Sequence, residues 1–139
     1  MAKEGILLID DEQTFLEGLA DALEAEGYRV FKARTGTEAI RILGRESVRL
    51  ATVDVMMPYA ETPAGVPSHR AGVQIIKDIK KRWPDLDIFC ISVINDAETI
   101  RAIRHAGARF LRKGETPLRT LLAMITSRAR GIAYRDPGY

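Results

Sequence analysis

Three carboxylates, one hydroxyl and one ammonium stand where short apolar segments of this sequence end. The residues are Asp10, Asp11, Asp54, Ser92 and Lys113. Three carboxylates gathered in one crevice would repel one another strongly unless a cation balanced their charge. A hard divalent ion such as Mg²⁺ is typically held by a few carboxylates together with water and phosphate oxygens. The residue types therefore predict a magnesium-assisted phosphoryl-acceptor site.

Each residue type in this set has a task in phosphoryl transfer. A carboxylate beside Mg²⁺ can act as a nucleophile and form an aspartyl phosphate. The hydroxyl of Ser92 can donate a hydrogen bond to a phosphoryl oxygen, and Lys113 can supply balancing positive charge. Any one acid of the set could instead cap a helix, as Asp11 could for the helix that follows it. Five such residues at matched positions favour a shared site.

The elements that must position these residues alternate along the chain. Apolar runs predict strands at 5–9, 28–33, 50–53, 87–93 and 108–111, and helical spacing predicts helices at 12–26, 35–43, 71–83, 97–105 and 116–130. Alternating strands and helices indicate an α/β fold, a doubly wound five-stranded parallel sheet. Ligands bind beyond the carboxyl ends of the strands in such a sheet, which is where the five residues stand.

Length and composition are typical of one soluble domain. The chain has 139 residues, of which 46% are hydrophobic and 29% charged. No apolar run approaches the roughly 20 residues that span a bilayer, and the N-terminus lacks a signal-peptide layout. The lone Cys90 excludes an internal disulfide and fits a reducing compartment. We expect a cytoplasmic protein with one domain at 1–130 and a tail at 131–139.

Four stretches of the sequence resemble the receiver domains of two-component response regulators. They are Ile6–Asp11, Val53–Pro58, Ile91–Ser92 and Phe110–Lys113. The resemblance extends over nearly the whole chain, from about Lys3 to Arg130. It implies a flavodoxin-like (βα)₅ receiver fold similar to CheY.

The same resemblance implies roles for particular residues. Asp54 would accept a phosphoryl group from a histidine kinase or a phosphotransfer protein. Mg²⁺ would be held by Asp10 or Asp11 together with Asp54 and the backbone carbonyl of Met56. Ser92 and Phe110 would form a switch pair, in which the hydroxyl moves inward on phosphorylation and the ring packs into the vacated space.

Three features near the site depart from the usual receiver sequence. Gly114 follows Lys113 where receivers typically have a cis proline, so we expect a trans peptide and a lysine that is aimed differently. Val93 follows the switch serine where Ala or Gly is usual, and its branched side chain predicts slow entry of small phosphodonors and water. The Pro-rich segment 57–71 is longer than a usual strand-to-helix loop, so it is either a lid or docking loop or a neutral insertion.

Charge is distributed unevenly along the chain. Residues 1–100 hold 12 Lys/Arg and 17 Asp/Glu, whereas residues 101–139 hold 9 Lys/Arg and 2 Asp/Glu. The basic residues on the fourth helix, fifth strand and fifth helix are Arg101, Arg104, His105, Arg109, Arg112 and Arg119. In receivers this surface changes on phosphorylation and meets partners, so an acidic protein target or a second receiver is expected. Nucleic-acid binding is a weaker hypothesis, because no recognised binding module is present.

Two further hypotheses about function stay open. The chain could be a receiver-like interaction module that is poorly or never phosphorylated. It could also be a Mg²⁺-dependent phosphohydrolase, but such enzymes generally place a second acid two residues after the nucleophile, whereas Asp10 and Asp11 are adjacent. We therefore expect a non-enzymatic switch. Since no recognised output domain follows Arg130, it is expected to act through contacts with another protein, unless the chain is a fragment of a longer one.

Overall fold

Strand and helix alternate five times along the chain, as the apolar spacing predicts. The computed structural model describes residues 5–55 and 68–131, with side chains for 5–55 and 71–131. The elements are β1 Gly5–Ile9, α1 Gln13–Ala25, β2 Arg29–Ala33, α2 Gly36–Arg45, β3 Val48–Val53, α3 Ser68–Arg82, β4 Asp87–Ser92, α4 Ala97–His105, β5 Arg109–Arg112 and α5 Leu118–Ala129. None of the helices in this described part has the length and apolar character to cross a bilayer.

All neighbouring strands pair in parallel, in the order β2-β1-β3-β4-β5. This order is the doubly wound, flavodoxin-like arrangement, and the direction of the strand order reverses between β1 and β3. The last residues of these two strands, Ile9 and Val53, are paired in register. The residues that follow them, Asp10 and Asp54, therefore emerge side by side at the carboxyl edge of the sheet.

Both faces of the sheet are covered by helices, which gives the molecule two apolar cores. Side chains of β1 alternate between them, so that Leu7 and Ile9 join one core while Ile6 and Leu8 join the other. The first core lies beneath α2, α3 and α4, and the second beneath α1 and α5. All four of these β1 side chains are fully buried. Because each such burial contributes about 1.5–3 kcal/mol, β1 is a stable base for the acidic residues that follow it.

Helix α3 begins earlier than predicted. The sequence placed the end of the long loop and the start of the helix at Ala71, but the helix begins at Ser68. Apolar spacing marks only the buried face of a helix, so it gives no signal for the polar residues of a first turn. Residues 56–67, the greater part of the predicted loop, and residues 132–139 of the predicted tail lie outside the described residues.

Candidate functional site

Backbone hydrogen bonds carry the two central acids just past the ends of their strands. The amide of Asp10 donates to the carbonyl of Ala33 at 3.0 Å, and the amide of Asp54 donates to the carbonyl of Ile9 at 2.9 Å. These bonds extend the parallel ladder by one residue and fix the backbone positions from which the two carboxyl groups project. Asp10 is 3% exposed and Asp54 is 6% exposed. The structure therefore brings two predicted acids together in a buried position.

Lys113 directly follows β5, at the edge of the sheet, and its side chain reaches these two acids. Its amide donates to the carbonyl of Ser92 at 2.9 Å, which anchors the residue beside the end of β4. Its Nζ atom lies 2.8 Å from Oδ2 of Asp10, 2.9 Å from Oε2 of Glu12 and 3.1 Å from Oδ2 of Asp54. Asp10 after β1, Asp54 after β3 and Lys113 after β5 thus form one buried ionic cluster.

The electrostatics of the cluster keep the lysine charged. Burial by itself lowers the pKa of Lys113, but the hydrogen bonds to Asp10 and Glu12 and the charge of Asp54 outweigh it and raise the pKa above its usual value. Burial raises the pKa of Asp10, and hydrogen bonds from Lys113 and from the amide of Glu12 offset part of this rise. Three carboxylates facing one ammonium leave an excess of negative charge, which an added cation would balance.

Asp11 and Glu12 lie in different environments, which the sequence pattern did not distinguish. The side chain of Asp11 is exposed, and its carbonyl accepts a hydrogen bond from Nη2 of Arg34 at 3.5 Å. Glu12 holds the N-cap position of α1 without a side-chain capping bond, and its amide donates to Oδ1 of Asp10 at 2.9 Å. Sequence reasoning missed Glu12, whose only signal was an acid directly after two others.

The predicted switch residues lie on neighbouring strands. Ser92 is fully buried at the end of β4, and its Oγ atom accepts a hydrogen bond from the amide of Ile94 at 3.4 Å. Phe110 on β5 is opposite Cys90 of β4, and it is half-buried against the core beneath α2, α3 and α4. This is a place from which an aromatic ring can move between core and surface. Burial raises the pKa of Cys90 to about 12, which keeps it a neutral thiol.

The structure also describes Gly114 and Val93, two of the positions that depart from the usual receiver sequence. The Lys113–Gly114 peptide is trans, which confirms the prediction, and Gly114 has a φ of +88°, in the left-handed region that favours glycine. The side chain of Val93 is 63% exposed. Its effect on the entry of phosphodonors and water stays a prediction.

The donor set at the site suits a hard divalent cation. Among the described residues, no three acidic, histidine or cysteine side chains are arranged as a metal-binding set. Asp10 and Asp54 nevertheless offer carboxylate oxygens that both lie within 3.1 Å of the same ammonium. Mg²⁺ commonly uses only one or two carboxylates and completes its shell with water and phosphate oxygens. The backbone of Met56, the other predicted ligand, lies outside the described residues.

Comparison with known proteins agrees with this architecture. A family model described as the response regulator receiver domain matches residues 6–126. Response regulator GtcR of Aneurinibacillus migulanus is 28% identical over 133 residues, which cover 95% of this chain and 50% of that protein. A cyclic di-GMP phosphodiesterase of Thermotoga maritima is 26% identical over 129 residues, covering 93% of this chain and 32% of that protein. A CheY-like receiver domain protein of Methanospirillum hungatei superposes with a TM-score of 0.79 at 25% identity, covering 93% of this chain and 95% of that one.

The chain belongs to the response regulator receiver domain family. It spans half or less of the length of the two curated relatives named above. Phosphorylation-dependent switching is the general function of the family, whose members interact with histidine kinases or phosphotransfer proteins. Receiver domains generally bind Mg²⁺ at the phosphorylation site and are typically not enzymes themselves.

Proposed function

We propose that this chain accepts a phosphoryl group on Asp54 from a histidine kinase or phosphotransfer protein and then changes its contacts with another protein. The observation that carries this proposal is the ionic cluster, in which Lys113 Nζ lies 3.1 Å from Asp54 and 2.8 Å from Asp10. The cluster lies at the carboxyl edge of the sheet beside the reversal of strand order, where α/β sheets bind ligands.

The two buried acids are suited to different tasks. Both oxygens of Asp10 are engaged, Oδ1 by the amide of Glu12 and Oδ2 by Lys113. This fixed carboxylate suits a cation ligand. Asp54 stands at the end of a central strand and matches the phosphoacceptor position of receivers. We assign the nucleophile to Asp54 and cation binding to Asp10 or Asp11 together with Asp54 and the backbone carbonyl of Met56.

The transfer step balances as an in-line displacement. A carboxylate oxygen of Asp54 attacks phosphorus, and the bond from phosphorus to the imidazole nitrogen of a phosphohistidine breaks. The electron pair stays on the leaving nitrogen, which takes up a proton, and Asp54 becomes an acyl phosphate. Lys113 balances charge on the phosphoryl oxygens, and the Ser92 hydroxyl donates a hydrogen bond to one of them. Mg²⁺, when bound, would supply further positive charge to the site.

The surface that carries the signal outward is formed by α4, β5 and α5. A cavity of about 440 Å³ on this surface is lined by Asn95, Ala97, Ile100, Arg101, Arg104, Phe110 and Arg112. It places the predicted switch ring, Phe110, beside three guanidinium groups. A movement of this ring would change the shape of the cavity.

One of these arginines has an unused donor. Nε of Arg112 is buried and makes no hydrogen bond within the described part of the chain, while its Nη1 lies 3.6 Å from Oε2 of Glu115. A buried donor without an acceptor costs roughly 1–3 kcal/mol, and a rotation of the Arg112 side chain that turned Nε toward a partner's carboxylate would recover this cost. We propose that the downstream partner presents an acidic segment to this cavity. Two copies of the same arginine-rich surface would repel each other, which disfavours a second copy of this chain.

A second candidate function is a receiver-like interaction module without phosphorylation. Gly114 and Val93, which stand where receivers usually have other residues, are the features that favour it. Under either function, the single buried thiol of Cys90 suits a cytoplasmic protein in a reducing compartment.

Mass spectrometry after incubation with Mg²⁺ and acetyl phosphate distinguishes the two candidates. We expect the wild-type protein to gain the mass of one phosphoryl group, and Asp54→Asn to gain none. An Asp78→Asn variant, which changes an acid on α3 instead, is expected to behave as wild type. The phosphoacceptor proposal is wrong if no adduct forms with acetyl phosphate or with several phosphorylated histidine kinases, or if Asp54→Asn is still modified.

A further inference from the structure

The ammonium of Lys113 has no donor left for a phosphoryl group in this state. An ammonium carries three N–H groups, and the Nζ atom lies within 3.1 Å of three carboxylates, those of Asp10, Glu12 and Asp54. A phosphoryl oxygen on Asp54 can therefore bond to Lys113 only if one of the present contacts is given up. Which contact yields is decided by the surroundings of the three acids.

Glu12 is the acid whose contact is easiest to release. The side chains of Asp10 and Asp54 are 4% and 8% exposed, whereas that of Glu12 is 58% exposed and can return to water at little cost. Asp10 is also held by the amide of Glu12. Asp54 can keep its contact as well, because attack by Oδ1 leaves Oδ2, the atom that faces Lys113, as the carbonyl oxygen of the acyl phosphate.

An aromatic ring holds the ammonium on the same side as Glu12. Nζ of Lys113 lies 4.4 Å from the centroid of the Phe15 ring, within the range of a cation–π interaction. Phe15 lies on α1, one turn after Glu12, and packs against the core beneath α1 and α5. The start of α1 thus offers two groups that attract the lysine.

The backbone around Lys113 leaves its side chain to be aimed by these groups. The amide of Lys113 is fixed to Ser92, but the following residue is Gly114, beside whose backbone a Cβ would meet nothing within 4 Å. No side chain at position 114 therefore buttresses the lysine. Its direction is set by the acids and by the ring.

We propose that Glu12 is a positioning residue: its carboxylate, with the ring of Phe15, holds Lys113 while Asp54 is unphosphorylated, and phosphorylation must release this contact. The release rests on the phosphoacceptor function proposed above, whereas the contact itself does not. Glu12 opposes the phosphorylated state, because its hold on the ammonium is lost there. Removing the charge of Glu12 should therefore favour that state.

The affinity for the phosphoryl analogue beryllofluoride at saturating Mg²⁺ tests the proposal. We expect Glu12→Gln to bind the analogue about 1.4- to fivefold more tightly than wild type, since an exposed ion pair contributes about 0.2–1 kcal/mol. Glu17→Gln is the matched control: it makes the same change on α1, where Glu17 contacts Gln13, and should leave affinity unchanged. A separate Mg²⁺ titration of each variant removes any contribution from weaker metal binding.

Nuclear magnetic resonance of the Lys113 ammonium in the unphosphorylated, metal-free protein provides the second readout. Its signal should shift in Glu12→Gln and stay in place in Glu17→Gln. Phe15→Leu, which keeps apolar bulk but removes the ring face, should tighten analogue binding in the same direction.

Unchanged or weaker binding of the analogue by Glu12→Gln, at saturating Mg²⁺, overturns the proposal, as does an unshifted Lys113 signal. A wild-type protein that binds no analogue and gains no phosphoryl group overturns the phosphoacceptor function and with it the release step. The Lys113 signal then still reports whether Glu12 holds the lysine, so the two failures are distinguishable.

Discussion

The side chains of Lys113 and Asp10 have opposite effects on the stability of the fold. The raised pKa of Lys113 means that its ion pairs stabilise the fold fully below its ordinary value of 10.5, and that this contribution is lost as pH rises through its folded-state pKa. The pKa of Asp10 is also raised, chiefly by burial, so its charged form costs stability. That cost develops as pH rises from 3.8, the ordinary value, through the folded-state pKa, and it is fully present above it. The charged carboxylate of Asp10 therefore lowers the stability of the fold, although the site retains it.

Replacing this acid should stabilise the protein without metal. We expect Asp10→Asn to raise Tm by a few degrees at pH 7 in a chelating buffer, because the amide is neutral and of similar size. The gain should shrink as pH falls through the raised folded-state pKa of Asp10 and vanish below 3.8, where the wild-type carboxyl is protonated in both the folded and the unfolded protein. The variant should also lose the extra stability that Mg²⁺ gives the wild type. Asp21→Asn, an exposed change on α1, should leave Tm nearly unchanged; a lower Tm for Asp10→Asn without metal would contradict the prediction.

At the scale of the elements, close packing of helix α3 against the end of β3 sets the geometry around Asp54. A Cβ built at Gly72 would lie 2.2 Å from the Cα atom and 2.3 Å from the carbonyl oxygen of Val55. Only a residue without a side chain lets the helix approach the backbone this closely. Val55 directly follows Asp54, so this contact helps to fix the strand end that carries the proposed phosphoacceptor.

A methyl group at this position should separate the helix from the strand. We expect Gly72→Ala to lower the free energy of unfolding by about 1–3 kcal/mol or more, as overpacked sites do. It should also slow phosphorylation, because the backbone next to Asp54 must shift. Gly18→Ala makes the same change on the exposed face of α1, where a Cβ meets nothing within 4 Å. It should raise the free energy of unfolding by up to about 1 kcal/mol. Equal urea midpoints for the two variants would refute this account of the packing.

Across the whole molecule, opposite charges gather on different surfaces. The carboxyl edge of the sheet concentrates acids around one ammonium, while Arg101, Arg104 and Arg112 line a cavity formed by α4 and β5. Arg112 links these surfaces, since it pairs with Ser92 in the sheet and directly precedes Lys113. We therefore expect a change at the acidic edge to reach the basic surface through this short strand.

This arrangement predicts binding of acidic peptides that depends on Arg112. A fluorescent peptide rich in glutamate and leucine should bind the beryllofluoride-activated protein, and Arg112→Gln should weaken it about tenfold, because a buried donor is worth roughly 1–3 kcal/mol. Arg41→Gln, an exposed change on α2, is the charge-matched control and should bind as wild type. Fluorescence anisotropy in low and high salt measures both. Equal weakening by the two variants, or tighter binding of unrelated duplex DNA than of the peptide, would contradict an acidic protein partner.

The sequence by itself determined the order of the elements, because the local spacing of apolar residues predicts buried strands and amphipathic helices. It also identified Asp10, Asp54, Ser92 and Lys113, because each follows or ends a segment whose character is readable locally. Threonine is a typical N-cap residue, and in α2 the hydroxyl of Thr35 accepts a hydrogen bond from the amide of Glu38. The family resemblance added roles that no spacing could supply.

Tertiary structure alone decided which acids meet the lysine. Glu12 and Lys113 are 101 residues apart, and nothing local separates Glu12 from Asp11, yet Glu12 turns toward Lys113 while the Asp11 side chain is exposed. The direction of a side chain depends on strand register and helix packing, which bring together residues distant in the chain. For the same reason, the buried Nε of Arg112 could not be read from its position in a strand. Glu12 thus joins Asp10, Asp54 and Lys113 in a cluster that the local sequence pattern did not reveal.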